Sequence, residues 1–337
     1  MPSVRKKPQV KLTDVASDAE VSVATASLAL RNDPSISEAT RRRVLEAQKR
    51  LGYRPIRNRT YSAKTGSGSR AGVCRHILYC VARFPIRKIQ YADFLEGVMG
   101  ACEEKKITLS VKSLESPDVL AESKADGIIL TGELTQRDLD ALTRIHPKLL
   151  VLGSYPFFDV NRVEFDVFGI GEQMAERLVA RGHRHVVHLT RNSKNYFERQ
   201  LLMGIRDGLE AQGIPLPADR VLHVENLTSS ITQLAARIPA LSPKITAVTC
   251  AASNVAEGFL VEMRLLQARG SNRPPEIYTT AIMHHEQPPP GLHLLDLGLE
   301  RCGWLAVERL CQMRENPRRF PFSCVVQSAG WMVPEAS

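Results

Sequence analysis

No apolar run in this 337-residue chain approaches the ~18 residues that a membrane-spanning helix needs. Met1 to Lys11 is basic and polar, with no apolar stretch behind it to act as a secretory leader. The chain is therefore expected to stay in the cytoplasm. Cysteine is sparse: seven residues, an odd number, sit in apolar surroundings such as those of Cys80 and Cys250, and no C-x-x-C pair occurs. That excludes a zinc-ribbon or dithiol-oxidoreductase motif, and the thiols read as small buried hydrophobes in a reducing compartment. A G-x-S-x-G elbow, a Walker lysine and an H-E-x-x-H helix are all missing, so the common hydrolase, nucleotide-hydrolysing and metalloprotease signals are absent. What is present is an ordinary globular composition, 43% apolar and 24% charged, which excludes collagenous and disordered chains. The length suits two or three domains.

The charge is unevenly placed. Residues 1–70 hold 15 Lys and Arg against 6 Asp and Glu, whereas residues 71–337 hold 30 of each. The whole net charge of +9 is thus confined to the first fifth of the chain. A confined basic block without an amphipathic apolar face suits nucleic acid better than a membrane surface. The alternative, a solvated basic tail, is weakened by helical patterning within the block. Leu12, Val15, Ala16 and Ala19 form one helical stripe, and Glu20-Val21-Ser22 interrupts it. Ser22 is placed to cap a second helix through Val23, Ala26, Ala29 and Leu30. Ser37 is placed to cap a third helix through Val44, Ala47 and Leu51, which stops at Gly52. Three small helices with a tight first turn make a helix-turn-helix unit whose second helix suits the major groove.

Leu12-Thr-Asp-Val-Ala, Val21-Ser-Val-Ala-Thr-Ala-Ser, Ile36-Ser-Glu-Ala-Thr-Arg-Arg-Arg-Val and Leu51-Gly-Tyr-Arg-Pro55 together resemble the lactose-repressor (LacI/GalR) family of bacterial transcription regulators. The spacing runs without a gap over residues 10–55. The resemblance implies that Val23 and Ala24 face bases, while Ser22, Thr25, Ser27, Ser37 and Thr40 contact phosphates; caps or core packing are the plainer roles for the same residues. Three departures stand out. Glu20 replaces the turn glycine, so it must accept whatever backbone the turn requires and adds negative charge near DNA. Leu28 replaces an arginine, leaving a side chain that either touches a thymine methyl or, as we favour, packs inward. In the hinge, Ser62 occupies the position of a minor-groove leucine wedge, so the wedge is lost or moves to Tyr61. Arg57 and Arg59 suit either a narrow minor groove or phosphates.

Thr65-Gly-Ser-Gly-Ser-Arg70 reads as a linker, which sets the expected domains at 1–55 (helix-turn-helix), 56–70 (hinge and linker) and 71–337 (core). Behind it, apolar strands alternate with amphipathic helices in two series. The first holds strands at 76–82, 107–111, 127–130 and 149–152 with helices at 91–105 and 135–144. The second holds strands at 185–189, 245–250 and 277–282 with helices at 199–212 and 254–269, followed by a helix at 301–314 and a strand near 323–327. Two similar α/β halves resemble the periplasmic-binding-protein-like core of the same family. The expected fold is an all-α helix-turn-helix head on an α/β core of two parallel-sheet subdomains.

Other motifs are weak. Gly169-Ile-Gly-Glu-Gln-Met-Ala175 outlines a dinucleotide loop, but a plain helix start after Asp166 is far commoner. His183, His185 and His188 lack a nearby carboxylate or cysteine in sequence and read as structural; no metal or other cofactor is expected. His284-His285-Glu286 is a better ligand candidate, although a solvated loop is commoner still.

Two classes of function remain: a DNA-binding regulator with an effector-sensing core, and a small-molecule α/β enzyme with a basic appendage. The first uses every feature, whereas the second lacks a catalytic constellation. The expected partners are a palindromic double-stranded operator, a second copy of the chain and, optionally, a small-molecule effector, with no membrane. Without leucine heptads after Trp331-Met-Val333, a dimer is expected rather than a tetramer. The family's sugar-binding positions are not reproduced. Leu201 stands for an arginine, Ala252-Ser253 for Asn-Asp, and Met283 for an aspartate. The expected crevice ligands are therefore Tyr91, Arg199, Ser253 and His284, acting on something less polar than a free sugar or on no small molecule at all.

Overall fold

The computed structural model describes residues 10, 12–21, 23–30, 37–53, 73–83, 89–115, 120, 123–145, 148–156, 160–191, 195–269, 274–281, 288–315, 323–326 and 330–332. The head is three helices, α1 (Leu12–Asp18), α2 (Val23–Leu30) and α3 (Glu38–Leu51). Val15, Ala16 and Ala19 bury against Ala26 and Ala29 of α2 and Val44 and Ala47 of α3, as the helical stripes require. Small residues dominate, so the helices approach closely. Glu20 takes a φ of 52° in the α1–α2 turn, a left-handed conformation that costs a residue with a Cβ ~1–2 kcal/mol. Ser37 caps α3 by accepting from Thr40 N at 3.3 Å, and Gly52 ends it at a φ of 67°.

The core contains two six-stranded sheets. The first half runs β1 (His76–Ala82), α4 (Ile89–Glu104), β2 (Thr108–Leu114), β3 (Gly127–Gly132), α5 (Gln136–Ile145), β4 (Leu149–Leu152) and β5 (Asn161–Phe165). The chain then crosses into the second half: α6 (Val167–Ala180), β6 (Val186–Thr190), α7 (Tyr196–Glu210), β7 (Val221–His223), α8 (Ser229–Arg237), β8 (Ala247–Cys250), α9 (Ser253–Ala268), β9 (Glu276–Ala281) and β10 (Leu292–Asp296). It returns through α10 (Leu299–Glu315), which packs on α4, and β11 (Ser323–Val326), which pairs with β5, before ending on β12 (Gly330–Met332) beside β10.

The strand orders are β11-β5-β4-β3-β1-β2 and β12-β10-β9-β8-β6-β7. Every pairing is parallel except β10 with β12. Helices cover both sheet faces, which is why β1, β3 and β4 read as unbroken apolar runs rather than as alternating ones. Both sheets reverse their winding at the first strand, at β1 and at β6. In such folds ligands enter at the carboxyl ends of the strands flanking that reversal. Those ends lie at Ala82 and Gly132 in one half and at Thr190 and Cys250 in the other. Among the described residues no helix is long and apolar enough to cross a membrane.

Candidate nucleic-acid interface and ligand crevice

The base-reading candidates Val23 and Ala24 open α2, and Ser27 and Leu28 lie on its next turn; their side chains, with Ser22, Arg57, Arg59, Tyr61 and Ser62, lie outside what the structure describes. Thr25 is 0% exposed. It is therefore a core residue of the head in the absence of DNA. The third helix carries the exposed cations Arg42 and Lys49. Arg41 pairs with Glu38 at 2.8 Å, and Arg50 pairs with Asp18 of α1.

Three polar groups at the start of α3 face the core. Ser37 Oγ and Thr40 Oγ1 both donate to Glu172 Oε1 on α6, at 3.5 and 3.3 Å, and Arg43 pairs with Asp207 on α7. Phe168 and Met203 of the same two helices join the head's apolar cluster, beside a hollow of about 270 Å³ lined by Ser37, Thr40, Arg43, Glu172, Glu176 and Asp207. Two carboxylates thus occupy hydroxyl and guanidinium donors of the kind that a phosphate would use. Burial, and then repulsion from Asp166, push the Glu172 carboxyl up to about 7.

At the crevice, the first half presents Arg83, whose φ of 58° turns it off the end of β1. Its guanidinium holds both oxygens of Asp138 at 2.7 and 2.9 Å and the Glu133 carbonyl at 2.9 Å. That pairing, with the two hydrogen bonds Asp138 accepts from Thr135, holds the Asp138 carboxyl well below the usual range. Tyr155 donates to the Gly132 carbonyl at 2.8 Å. From the second half, Glu198 ties down the end of β6 by accepting from Thr190 Oγ1 at 2.6 Å and Arg191 N at 2.7 Å. The expected ligand residue Arg199 is exposed, with its guanidinium 5.8 Å from the centroid of the Tyr196 ring. Ser253 is buried at the first turn of α9, and Leu201 is 0% exposed in the core under α6 and α7. The Tyr91 side chain, Met283 and His284 lie outside the described residues. Where the halves meet, Phe94 of α4, Phe165 of β5 and Phe197 of α7 form a run of rings with centroids 6.4 and 6.1 Å apart.

The glycine loop is a helix start. Asp166 caps α6 by accepting from Gly169 N at 3.0 Å, and Gly171 faces the backbone of α7 rather than open space. His183 and His188 are structural. Burial pushes His188 down to about 3, so it stays neutral while bonded to Thr249 at 2.9 Å. His183 joins a knot that sequence reading missed, in which Arg181, His183, Tyr278 and His293 all surround Glu276. Arg181 binds that carboxylate through two nitrogens, at 2.7 and 2.8 Å. Among the described residues no group of His, Cys, Asp and Glu is arranged to hold a metal.

Residues 11–56 match the model of "Bacterial regulatory proteins, lacI family". Residues 109–286 match that of "Periplasmic binding proteins and sugar binding domain of LacI family". Relatives include the maltose regulon regulatory protein MalI of Escherichia coli, 29% identical over 264 residues covering 74% of each chain. The regulator GntR of E. coli is 28% identical over 90% of this chain and 92% of its own. The fold matches that of a transcriptional regulator CelR–cellobiose complex, with a TM-score of 0.62, 21% identity and 98% and 100% of the two chains covered. It also matches a lac repressor dimer bound to operator, with a TM-score of 0.62, 18% identity and 96% and 98% coverage. With a capped three-helix head ahead of two doubly wound halves, and with both parts matching the same family, the chain belongs to the lacI family of bacterial regulatory proteins and is a DNA-binding regulator, not an enzyme.

Proposed function

We propose that the protein acts in the cytoplasm as a repressor-type dimer on a palindromic operator, with Val23 and Ala24 against bases and Ser22, Ser27, Ser37 and Thr40 against phosphates. The observation that carries this reading is the folded, capped three-helix head, flanked by the segments 1–11 and 54–70 that hold the chain's entire basic excess. One head spans too few base pairs to select a site in a genome, so two-fold pairing on an inverted repeat is the economical arrangement. Apolar side chains exposed on the core, Met99 at 54%, Val261 at 56% and Leu265 at 49%, suit contact with a second copy. Selection of bound duplexes from a random pool should return an inverted repeat. Enrichment of asymmetric sites, or none, overturns the reading.

Ser37, Thr40 and Arg43 cannot hold Glu172 and Asp207 and a phosphate backbone at once, so operator binding replaces the core carboxylates with phosphates. The apparent affinity falls by the fraction of heads held on the core. Neutralising both carboxylates, Glu172→Gln with Asp207→Asn, should tighten operator binding by roughly 5–150-fold, since each of the two lost contacts is worth ~0.5–1.5 kcal/mol. Fluorescence anisotropy with a labelled operator reads this, and an unchanged affinity would show that the contacts do not compete with DNA.

The crevice is proposed to take a ligand less polar than a free sugar, through Tyr91, Arg199, Ser253 and His284. A polyhydroxylated ligand needs paired donors and acceptors to offset its desolvation. Leu201 is turned into the core, while the best-placed charged groups, Arg83 with Asp138 and Glu198 with Thr190, already satisfy one another. Calorimetry against common mono- and disaccharides should show no binding tighter than about millimolar, the weak end of the affinity scale. Micromolar binding abolished by Arg199→Ala would overturn this assignment.

A further inference from the structure

The Cys74 and Cys311 thiols hydrogen-bond to each other at the point where the chain, emerging from the linker, joins the core. Backbone and ionic contacts hold them there independently. Arg75 N and His76 N, the next two amides after Cys74, donate to Asp126 Oδ2 at 2.8 and 3.1 Å. The other oxygen of Asp126 pairs at 2.7 Å with Arg314, one helical turn beyond Cys311 on α10. Arg314 also donates to the Asp126 carbonyl at 3.3 Å. Asp126 thus pins the start of β1 to the last turns of α10, with one thiol on each side.

The two thiols are not equivalent. Cys74 is buried and Cys311 is only partly buried. The hydrogen bond from Cys74 favours the Cys311 thiolate and outweighs its partial burial, and the nearby Lys105 ammonium adds to the effect. Donating that bond, together with burial, holds the Cys74 thiol far above its usual range. Cys80, Cys102, Cys250 and Cys302 are buried, and burial pushes Cys102 up to about 11 and Cys80 up to about 12. Among the described cysteines only Cys311 combines access to solvent with a stabilised thiolate, and a second thiol already touches it. A low-pKa, accessible sulfur beside a resolving thiol is the arrangement that peroxide-sensing sites require.

We infer that Cys311 and Cys74 form a peroxide-reactive dithiol, with Cys311 as the attacking sulfur and Cys74 as the resolving one. The Cys311 thiolate attacks one oxygen of hydrogen peroxide. The O–O bond breaks, the departing hydroxide takes a proton to become water, and Cys311 is left as a sulfenic acid. The Cys74 sulfur then displaces that hydroxyl as a second water, and the S–S bond forms. Two thiols are oxidised by two electrons, and one peroxide is reduced to two waters. The crosslink ties the beginning of the core covalently to α10, four residues after Arg70, where the linker ends.

The test uses the full-length reduced protein treated with a small molar excess of hydrogen peroxide, then denatured in an alkylating agent and digested with trypsin without reductant. The peptides Ala71–Arg75 and Leu310–Arg314 should appear joined and 2 Da below the sum of their masses, while Cys80, Cys102, Cys250 and Cys302 carry the alkyl group. Cys74→Ser should instead leave a Cys311 sulfenic acid that dimedone traps. Cys311→Ser should leave the Cys74 thiol unoxidised at the same dose, with an unchanged melting curve showing that the variant is folded. Cys102→Ser should leave the crosslink intact. Alkylated Cys74 and Cys311 in the treated wild-type protein, a crosslink from either of them to Cys102, or oxidation of Cys74 at an undiminished rate in Cys311→Ser would each overturn the assignment.

Discussion

Raising salt from 50 to 200 mM should weaken operator binding by ~10³–10⁵-fold if the two heads and their linkers neutralise six to ten phosphates. The field that produces this response lies in residues 1–70, because the remaining 267 residues hold 30 acidic and 30 basic side chains and add no net attraction. Not every cation in the head is available at the start. Arg43 holds Asp207, Arg41 holds Glu38 and Arg50 holds Asp18. A phosphate must displace those carboxylates, and salt screens the displaced pairs as well. The slope should therefore be shallower than a count of basic residues suggests, and Glu172→Gln with Asp207→Asn should steepen it. Arg57→Ala with Arg59→Ala should weaken all sequences alike, whereas changes at Val23 or Ala24 should alter base preference. Electrophoretic mobility or anisotropy titrations across the salt series decide the matter; a flat response is incompatible with a charge-driven head.

The ends of the head helices were legible because each cap is a local event. Ser37 reaches an amide three residues on, and Gly52 supplies a left-handed backbone in place. Glu20 was visible as a misfit in the turn, and its positive φ shows that the turn keeps its shape without glycine. In the core, strands flanked by amphipathic helices were legible to within a few residues, as with β1, β4 and α9. Short elements were not. β7 spans three residues, β10 lies behind Pro288-Pro-Pro290 and Gly291, and α8 is a nine-residue helix whose apolar stripe is only Ile231, Leu234 and Ala235. The contacts that define the sites were out of reach for another reason. Thr40 and Glu172 are 132 residues apart, His183 and Glu276 93, and Arg314 and the Asp126 carbonyl 188. No period or spacing in a single sequence encodes such pairs. Thr25, assigned by resemblance to the DNA surface, is buried in the head.

Gly204→Ala should lower the melting temperature by about 5–10 °C, and Gly204→Val should leave little folded protein, because α6 and α7 touch backbone to backbone. A Cβ at Gly204 would lie 2.0 Å from the Phe168 carbonyl oxygen and 3.0 Å from Gly171 Cα, and one at Gly171 would lie 2.5 Å from the Leu201 carbonyl oxygen. Carbonyls inside a helix cannot swing aside, so the helices must part. Beneath them Met174, Leu178, Leu201 and Ile205 are fully buried in one cluster, and parting the helices loosens that packing. Overpacking and the resulting voids cost ~2–4 kcal/mol. Alanine's better helix propensity returns up to about 1 kcal/mol, too little to reverse the sign. With a few degrees lost per kcal/mol in a domain of this size, the net cost gives the expected shift. The first half is built the same way, since a Cβ at Gly97 would meet the Glu300 carbonyl oxygen at 1.8 Å and one at Gly303 the Phe94 carbonyl oxygen at 2.0 Å. Gly97→Ala should therefore behave like Gly204→Ala. The control is Gly213→Ala, where φ is +72° and nothing lies within 4 Å, so only ~1 kcal/mol of backbone strain is at stake. A Gly204→Ala melt no lower than that of Gly213→Ala would show that the helices accommodate a methyl group. Because α6 and α7 also carry Phe168, Glu172, Met203 and Asp207 against the head, any parting of the pair displaces the surface on which the head rests. Gly204→Ala should then tighten operator binding in the folded fraction, as removal of the two carboxylates does.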